Sequence, residues 1–319
     1  MRDRRVVVTG GAGFVGAALC TRLVHEDWSV SVIDDCRLGT PANWPSDVAS
    51  EIDHLKIDIR DGEGVEGVLR AVQPEIVYHL AAIHFIPLCD AQPAQAIDVN
   101  VTGTQRILDA CARVSSDSSI VFTSSGAVYA PSSNAHMETS AVGPTDVYGH
   151  TKLWGEQLLR LHHLKTEAGI GVARLFNVFG PGETNPHFIP AVLDQVKVAD
   201  TLQLGNLTTR RDYVFTDDVA EALSLIGANA DTGGLLTFNV GSERALSGED
   251  VLDAVAALLG RRLSPAIDPR RVRPSDRPLL LSDCTHARER LGWSARTSLA
   301  DGLQGALARP LAQGVDVSG

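Results

Sequence analysis

The chain reads as an α/β protein built on a doubly wound parallel sheet, and three features of the sequence carry that expectation. Short apolar runs recur at 5–9, 29–33, 76–82, 120–125 and 170–176, with helical stretches between them. Alternation of this kind places parallel strands under helices on both faces. The first run leads through a glycine cluster directly into a helix, and several runs end in polar residues, at the edge where such sheets hold ligands.

The 319 residues are 44% hydrophobic and 21% charged, enough for one large globular domain or two closely joined ones. Lys+Arg 28 against Asp+Glu 39 leaves a net charge of −11, which disfavours a general binder of nucleic acid or anionic membranes. An anionic ligand therefore needs local positive charge. The apolar stretch after Arg5 is too short for a signal peptide, and no run approaches the ~20 residues that span a bilayer. Cys20, Cys36, Cys89, Cys111 and Cys284 are scattered and lack C-x-x-C spacing, so neither a zinc site nor a disulfide framework is expected. No metal and a cytoplasmic location are the expectation.

Residues 5–9 form a valine-rich strand, followed by Gly10-Gly11-Ala12-Gly13-Phe14-Val15-Gly16 and a helical pattern through Leu19 and Leu23. Both G-x-G-x-x-G (Gly11, Gly13, Gly16) and G-x-x-G-x-x-G (Gly10, Gly13, Gly16) are present. Strand, glycine turn and helix N-terminus together make a pyrophosphate site: glycines admit phosphates to the backbone, and the helix end offers free N–H groups and a positive dipole. The second strand, Ser29 to Ile33, ends in Asp34-Asp35, 18 residues past Gly16, where a carboxylate accepts from ribose hydroxyls and repels a 2′-phosphate. NAD is thereby favoured over NADP, with Arg37 arguing for the latter.

A strand is expected at Leu55 to Ile57, before Asp58 and Ile59, then a helix over 61–72 and a strand over 76–82. Pro93 to Val114 reads as one long helix containing Asn100 and Gly103. The strand at 120–125 delivers two hydroxyls, Ser124 and Ser125, toward the same crevice. Tyr148 and Lys152 then stand four apart at the start of a helix, on one face, where an ammonium can sit near a phenol.

Beyond the strand at 170–176 and Asn177 the alternation becomes irregular, from Gly180-Pro181-Gly182 to the Arg- and Pro-rich segment 261–278. The expected division is a dinucleotide-binding domain over 1–180, to which a segment at about 210–245 returns, and a smaller interleaved lobe over 181–319. Arg210, Arg211, Arg270, Arg271, Arg273 and Arg277 concentrate positive charge there, and guanidinium forks suit phosphate oxygens.

With the glycine turn, Asp34, Ser125, Tyr148 and Lys152 together, the sequence resembles the extended short-chain dehydrogenase/reductase family, and within it the nucleotide-sugar epimerases. The resemblance runs from Val6–Gly16 to Leu291-Gly292-Trp293. It implies a Rossmann fold binding NAD through Gly10, Gly13, Phe14, Val15, Gly16, Asp34, Asp58, Ile59, Ala81, Ala82, Asn100, Tyr148 and Lys152. It implies a catalytic trio of Ser125, Tyr148 and Lys152. UDP would be held by Asn177, His187, Arg211, Arg273 and Asp276, with Ser125 on the reacting oxygen and His84, Thr184 or a nearby arginine meeting a sugar carboxylate. A homodimer through 93–113 and 147–166 is also implied, with Leu153, Trp154, Leu158, Leu159 and Leu161 as apolar surface.

Relatives that dehydrate or decarboxylate nucleotide sugars carry a carboxylate two residues before the tyrosine of the serine loop, here Tyr129, often preceded by a second acid. Gly126 and Ala127 stand at those positions. Elimination is thereby disfavoured, and reversible oxidation at one carbon is left. The implied reaction is C4 epimerisation of a UDP-sugar through a transient 4-keto sugar, in which Tyr148 as phenolate takes the 4-hydroxyl proton while the hydride passes to NAD⁺ and returns on the other face. Bringing a phenol from about 10 to about 7 takes roughly 4 kcal/mol, which the Lys152 ammonium and the positive nicotinamide are expected to supply. UDP-glucose/UDP-galactose and UDP-glucuronate/UDP-galacturonate are the candidate pairs, with the uronate or a dual preference expected. The alternatives are a nucleotide-sugar 4-ketoreductase that turns over external NAD(P)H, and a non-catalytic NAD-binding sensor, which needs the glycine turn and Asp34 but not the trio.

Overall fold

The computed structural model describes residues 4–183, 185–230, 234–272 and 277–308. The chain opens as β1 (Arg5–Thr9), α1 (Phe14–His25), β2 (Ser29–Ile33), α2 (Ser46–Ala49), β3 (Ile52–Leu55), α3 (Gly62–Val72) and β4 (Ile76–His79). Next come α4 (Ile86–Ala91), α5 (Pro93–Ile97), a π turn (Asp98–Thr102), α6 (Gly103–Val114), β5 (Ser119–Ser125), α7 (Val147–Thr166) and β6 (Ile170–Leu175). The remainder supplies β7 (Asn177–Phe179), α8 (Phe188–Gln195), β8 (Thr201–Leu204), β9 (Arg210–Phe215), α9 (Thr216–Ala230) and β10 (Leu235–Val240). It closes with β11 (Ala245–Ser247), α10 (Gly248–Leu259), β12 (Ser264–Ile267), β13 (Leu279–Leu280), α11 (Thr285–Leu291) and α12 (Leu299–Ala308).

Seven strands form one parallel sheet in the order β3-β2-β1-β4-β5-β6-β10, the doubly wound α/β architecture that the alternation predicts. The valine run of β1 shows why the strand is uniformly apolar instead of alternating. Val6 and Val8 pack with Leu19, Leu23, Val219 and Leu223 on one face, and Val7 packs with Leu69, Ile107 and Leu159 on the other. A strand covered on both sides has no solvent face to make polar. β1 pairs with β2 on one side and β4 on the other, so the strand order reverses there and opens a crevice at the carboxyl ends.

The later part of the chain leaves this sheet and returns to it. β7, β9, β11 and β13 form a small sheet, and β8 pairs with β12. Val192, Leu202, Phe215, Val251 and Leu303 make a separate apolar cluster for these elements. α9 then packs against α1, and β10 joins β6 at the edge of the main sheet.

Three elements differ from the sequence expectation by more than one residue at a boundary or by an interruption. β3 runs over Ile52–Leu55 and not 55–57, because Ile57 N–H donates to Leu55 O at 2.9 Å and the tight turn ends the strand. β4 stops at His79, since the chain then bends to place Ala81 N–H on Thr9 Oγ1 at 3.2 Å. The single helix expected from Pro93 to Val114 is interrupted by the π turn, a feature often found at functional sites. On α7, Leu159 is buried and Leu153 and Leu158 pack against the core, so of the five residues offered for a dimer face only Trp154 (39%) and Leu161 (54%) are exposed. No helix among the described residues is long and apolar enough to cross a membrane.

Candidate active site

A cavity of about 770 Å³ opens along the carboxyl edge of the sheet, lined by the glycine turn, by Ser125, Tyr148 and Lys152, and by Asn177, His187 and Arg211. Glycine is required at two points of its floor. Gly10 has φ +72°, and a Cβ there would lie 2.7 Å from Ala81 N; a Cβ on Gly16 would lie 2.1 Å from Gly10 O. α1 starts at Phe14 with Gly13 as its N-cap, no capping side chain and no acidic residue in the first turn. Its free N–H groups and dipole therefore remain available to an anion, and the cradle fits a dinucleotide pyrophosphate.

Asp34 lies buried beside this cradle, its carboxylate accepting from Ala12 N–H (3.0 Å) and Cys36 N–H (2.8 Å). Burial pushes its pKa up against those two hydrogen bonds. Asp58 and Ile59 line the cavity, but the Asp58 carboxylate is taken by Arg60 (2.6 Å) and Arg37 (3.2 Å), and the Arg60 hydrogen bond holds its pKa down. Arg37 is also tied to Asp35 at 2.5 Å. The residue that argued for a 2′-phosphate is thus neutralised by two carboxylates.

Asn100, expected to touch the dinucleotide, is buried behind the cavity wall that its neighbour Val99 lines. Its side chain accepts from Ile83 N–H (2.8 Å) and donates to Ile83 O (2.9 Å) and Thr151 Oγ1 (3.0 Å). The π turn aims it at the loop after β4, so Asn100 holds Ala81, Ala82 and Ile83, which do line the cavity, against α7.

The same loop hangs on His79, buried between two threonines. Thr104 Oγ1 donates to Asn100 O (2.6 Å) and so accepts from His79 Nε2 (2.9 Å), while His79 Nδ1 accepts from Thr9 Oγ1 (2.7 Å). Burial, reinforced by the Lys152 charge, pushes the imidazole down to about 3. The unfolded chain binds this proton near 6.5, so stability from a neutral His79 is complete above that pH and is lost as pH falls toward 3. Between pH 6.5 and 5 the loss is roughly 2 kcal/mol. Urea denaturation at the two pH values should show a steeper decline for the wild type than for His79→Gln; equal slopes would refute the assignment.

Ser125 ends β5, and its Oγ accepts from Ala127 N–H at 3.2 Å. The neighbouring Ser124 hydroxyl donates to Glu156 at 2.5 Å, so the two serines of the strand end serve different partners. Asp146 caps α7, its carboxylate accepting from Gly149 N–H at 2.7 Å, which fixes the first turn where Tyr148 sits. Lys152 is buried; its Nζ donates to Thr123 O at 2.8 Å and lies 5.9 Å from the centre of the Tyr148 ring. Burial pushes the ammonium down to about 8, with Cys89 and Glu156 opposing.

Burial likewise pushes the Tyr148 phenol well above its ordinary value, opposed by a hydrogen bond with Ser125 and reinforced by Cys89 and Asp146. The expected acidification rests on the Lys152 ammonium together with the positive nicotinamide, and the chain by itself supplies only the first. In the chain alone desolvation of the phenolate wins.

On the other wall, Asn177 has a buried Oδ1 without a hydrogen-bond partner among the described residues, an acceptor that suits a ligand. Arg211 donates to Arg210 O (2.9 Å) and Arg277 O (2.7 Å), and His84 and His187 line the cavity with it. Thr184, Arg273 and Asp276 lie outside the described residues. Arg277, noticed in the sequence only as one charge among six, is buried and donates to Tyr129 O (2.7 Å), Ala127 O (3.0 Å) and Thr145 Oγ1 (3.1 Å). It clamps the loop that follows Ser125. Its partners are more than 130 residues distant, so no local pattern announces it. Asp146 did carry a signal, an N-cap residue directly before a helical run. Ala127 lines the cavity, and a Cβ on Gly126 would meet the Phe176 ring at 3.3 Å; neither position carries an acid.

Residues 6–241 match the model of the NAD dependent epimerase/dehydratase family. A UDP-glucose 4-epimerase of Mycolicibacterium smegmatis is 33% identical over 307 residues, 94% of this chain and 96% of the relative. The crystal structure of a UDP-glucose 4-epimerase from Brucella ovis in complex with NAD is 28% identical with a TM-score of 0.86, covering 96% of this chain and 98% of that one. MoeE5 in complex with UDP-glucuronic acid and NAD is 28% identical with a TM-score of 0.84, covering 95% and 98%. A glycine cradle at the switch point of a seven-stranded parallel sheet, with tyrosine and lysine one turn apart beside it, has these relatives because the chain belongs to the NAD dependent epimerase/dehydratase family.

Proposed function

We propose that this chain is an NAD-dependent 4-epimerase of a UDP-sugar, working through a transient 4-keto sugar. The observation that carries the reading is the meeting of Ser125, Tyr148 and Lys152 in the cavity that the glycine turn also lines, with no acid at 126 or 127. Gly10, Gly13, Phe14, Val15 and Gly16 hold the cofactor diphosphate on the α1 N-terminus, and Asp34 meets the adenosine ribose. When bound, NAD supplies the hydride acceptor and the positive ring that offsets the desolvation of the Tyr148 phenolate.

Tyr148 takes the proton of the sugar 4-hydroxyl and returns it after the keto sugar has turned over. Ser125, at the end of β5 in the same cavity, steadies the same oxygen. Lys152 keeps positive charge beside the phenol. Arg211 and Asn177 hold the UDP end, leaving the sugar room to present either face, and the later lobe forms that part of the wall.

The substrate pair is UDP-glucose/UDP-galactose, a reading supported by the Mycolicibacterium and Brucella relatives. A uronate pair is the second reading, supported by the MoeE5 complex and by His84 in the cavity. Incubating the purified chain with UDP-glucose and with UDP-glucuronate, while following anomeric protons by NMR, tests both. Appearance of the C4 epimer without added NADH supports the proposal; turnover only with external NAD(P)H would make the chain a ketoreductase instead. The exposed Trp154 and Leu161 support a dimer through α7 in the cytoplasm, and a monomer by light scattering would exclude that association.

A further inference from the structure

We infer that His84, Glu183 and His187 form a binding site for a divalent transition metal, zinc by preference, in the wall of the cavity. One ligand atom from each lies within 4.8 Å of the others. His84 comes from the loop after β4, and Glu183 and His187 from the segment between β7 and α8, so a bound ion would tie two distant stretches of chain together across the cavity. No run of the sequence resembles a zinc motif, because His84 is about a hundred residues from the other two.

The donor set is chemically suited. Two imidazoles and one carboxylate are a common zinc set, which leaves further coordination positions for water or a ligand oxygen. A tetrahedral zinc with bonds near 2.1 Å holds neighbouring donors about 3.4 Å apart, so the side chains need close by no more than about 1.4 Å. His84 Nε2 and Glu183 Oε1 are already 4.0 Å apart, and the two imidazole centroids are 6.0 Å apart. The His84 side chain is 36% exposed, whereas that of Glu183 is 4% exposed.

Glu183 is the anomaly that the ion accounts for. It is a buried carboxylate, and among the described residues no lysine or arginine pairs with it. Its Oε1 accepts from Asn185 N–H (2.8 Å) and Asn185 Nδ2 (3.3 Å), and the same Nδ2 lies 2.9 Å from His84 Nε2. Burying a carboxylate without a cation is costly, and a metal repays that cost where an amide does so only in part. Asn185 then serves as the outer hydrogen-bond partner that orients the carboxylate.

The test is calorimetric titration of the metal-stripped full chain with zinc chloride, paired with cobalt(II) titration read by visible absorption. One ion per chain with Kd of about 1 μM or tighter is expected, and Glu183→Gln and His187→Gln should each weaken it by at least ~10-fold. If Glu183→Gln fails to fold, His84→Gln and His187→Gln carry the test, since both rings are part-exposed. Cys36→Ser should leave the affinity unchanged, which separates this site from the Cys36–His54 pair at 3.6 Å. Absence of saturable zinc binding below about 100 μM, full affinity in both glutamine variants, or loss in Cys36→Ser would overturn the proposal. Each readout is metal affinity and so stands or falls separately from epimerase activity.

Discussion

Tyr148→Phe is expected to lower kcat for epimerisation by roughly 10³-fold while leaving the fold and the bound dinucleotide in place. The substitution removes a single hydroxyl. The ring keeps its apolar packing against the cluster that includes Ile107, Phe122 and Leu159, so the melting temperature should move by no more than a few degrees. What is lost is the group proposed to take the 4-hydroxyl proton, and Ser125 cannot replace it, because a neutral serine hydroxyl is a far weaker base. NMR of the anomeric protons gives the rate, and absorbance of the dinucleotide released on denaturation gives the occupancy. Retention of more than a few per cent of wild-type rate would remove Tyr148 from its assigned role.

The pH dependence carries the same argument. Burial holds the phenol above its ordinary value, so wild-type kcat should climb as pH rises from the acid side and the phenolate becomes accessible. Lys152, titrating at about 8, loses its charge as pH rises further and withdraws the positive field that favours the phenolate. A profile that rises and then flattens or falls above pH 8 is the expected result. Lys152→Met should abolish the upper limb.

Gly16→Ala is the second large effect. The added methyl would sit 2.1 Å from Gly10 O and 2.7 Å from Gly11 Cα, backbone atoms of the phosphate turn itself, so that turn must move. Overpacking of this kind costs about 1–3 kcal/mol, and the displaced N–H groups no longer converge on the pyrophosphate. The variant is expected to purify without its dinucleotide and to show epimerase activity reduced by about 10² or more. Gly67→Ala is the control: it lies within α3 with nothing within 4 Å of the new methyl, and should stabilise the protein by up to about 1 kcal/mol. A Gly16→Ala protein that still carries one dinucleotide per chain would show that the turn tolerates the methyl.

What was legible in the sequence is what depends on neighbours along the chain. The valine run of β1 has to be buried on both faces, the turn at Gly10–Gly16 needs residues without a side chain, and a four-residue spacing brings Tyr148 and Lys152 to one helix face. Each of these is a local rule of backbone geometry or periodicity. The lack of acids at 126 and 127, on which the resemblance to epimerases over eliminating relatives turns, is likewise a matter of two adjacent positions.

The tertiary structure alone decided the rest, because it turns on burial and on contacts between remote residues. Asn100 could be recognised as important but not as the clamp on Ile83, since a π turn is invisible to a 3.6-residue period. Arg277 was one of six arginines read as positive charge for an anionic ligand, whereas its guanidinium is buried against Ala127 and Tyr129. The phenol of Tyr148 was expected to be acidified by Lys152 and the nicotinamide together, and burial, which no spacing reveals, opposes that in the chain by itself. His84, Glu183 and His187 meet only because the loop after β4 and the segment before α8 face one cavity.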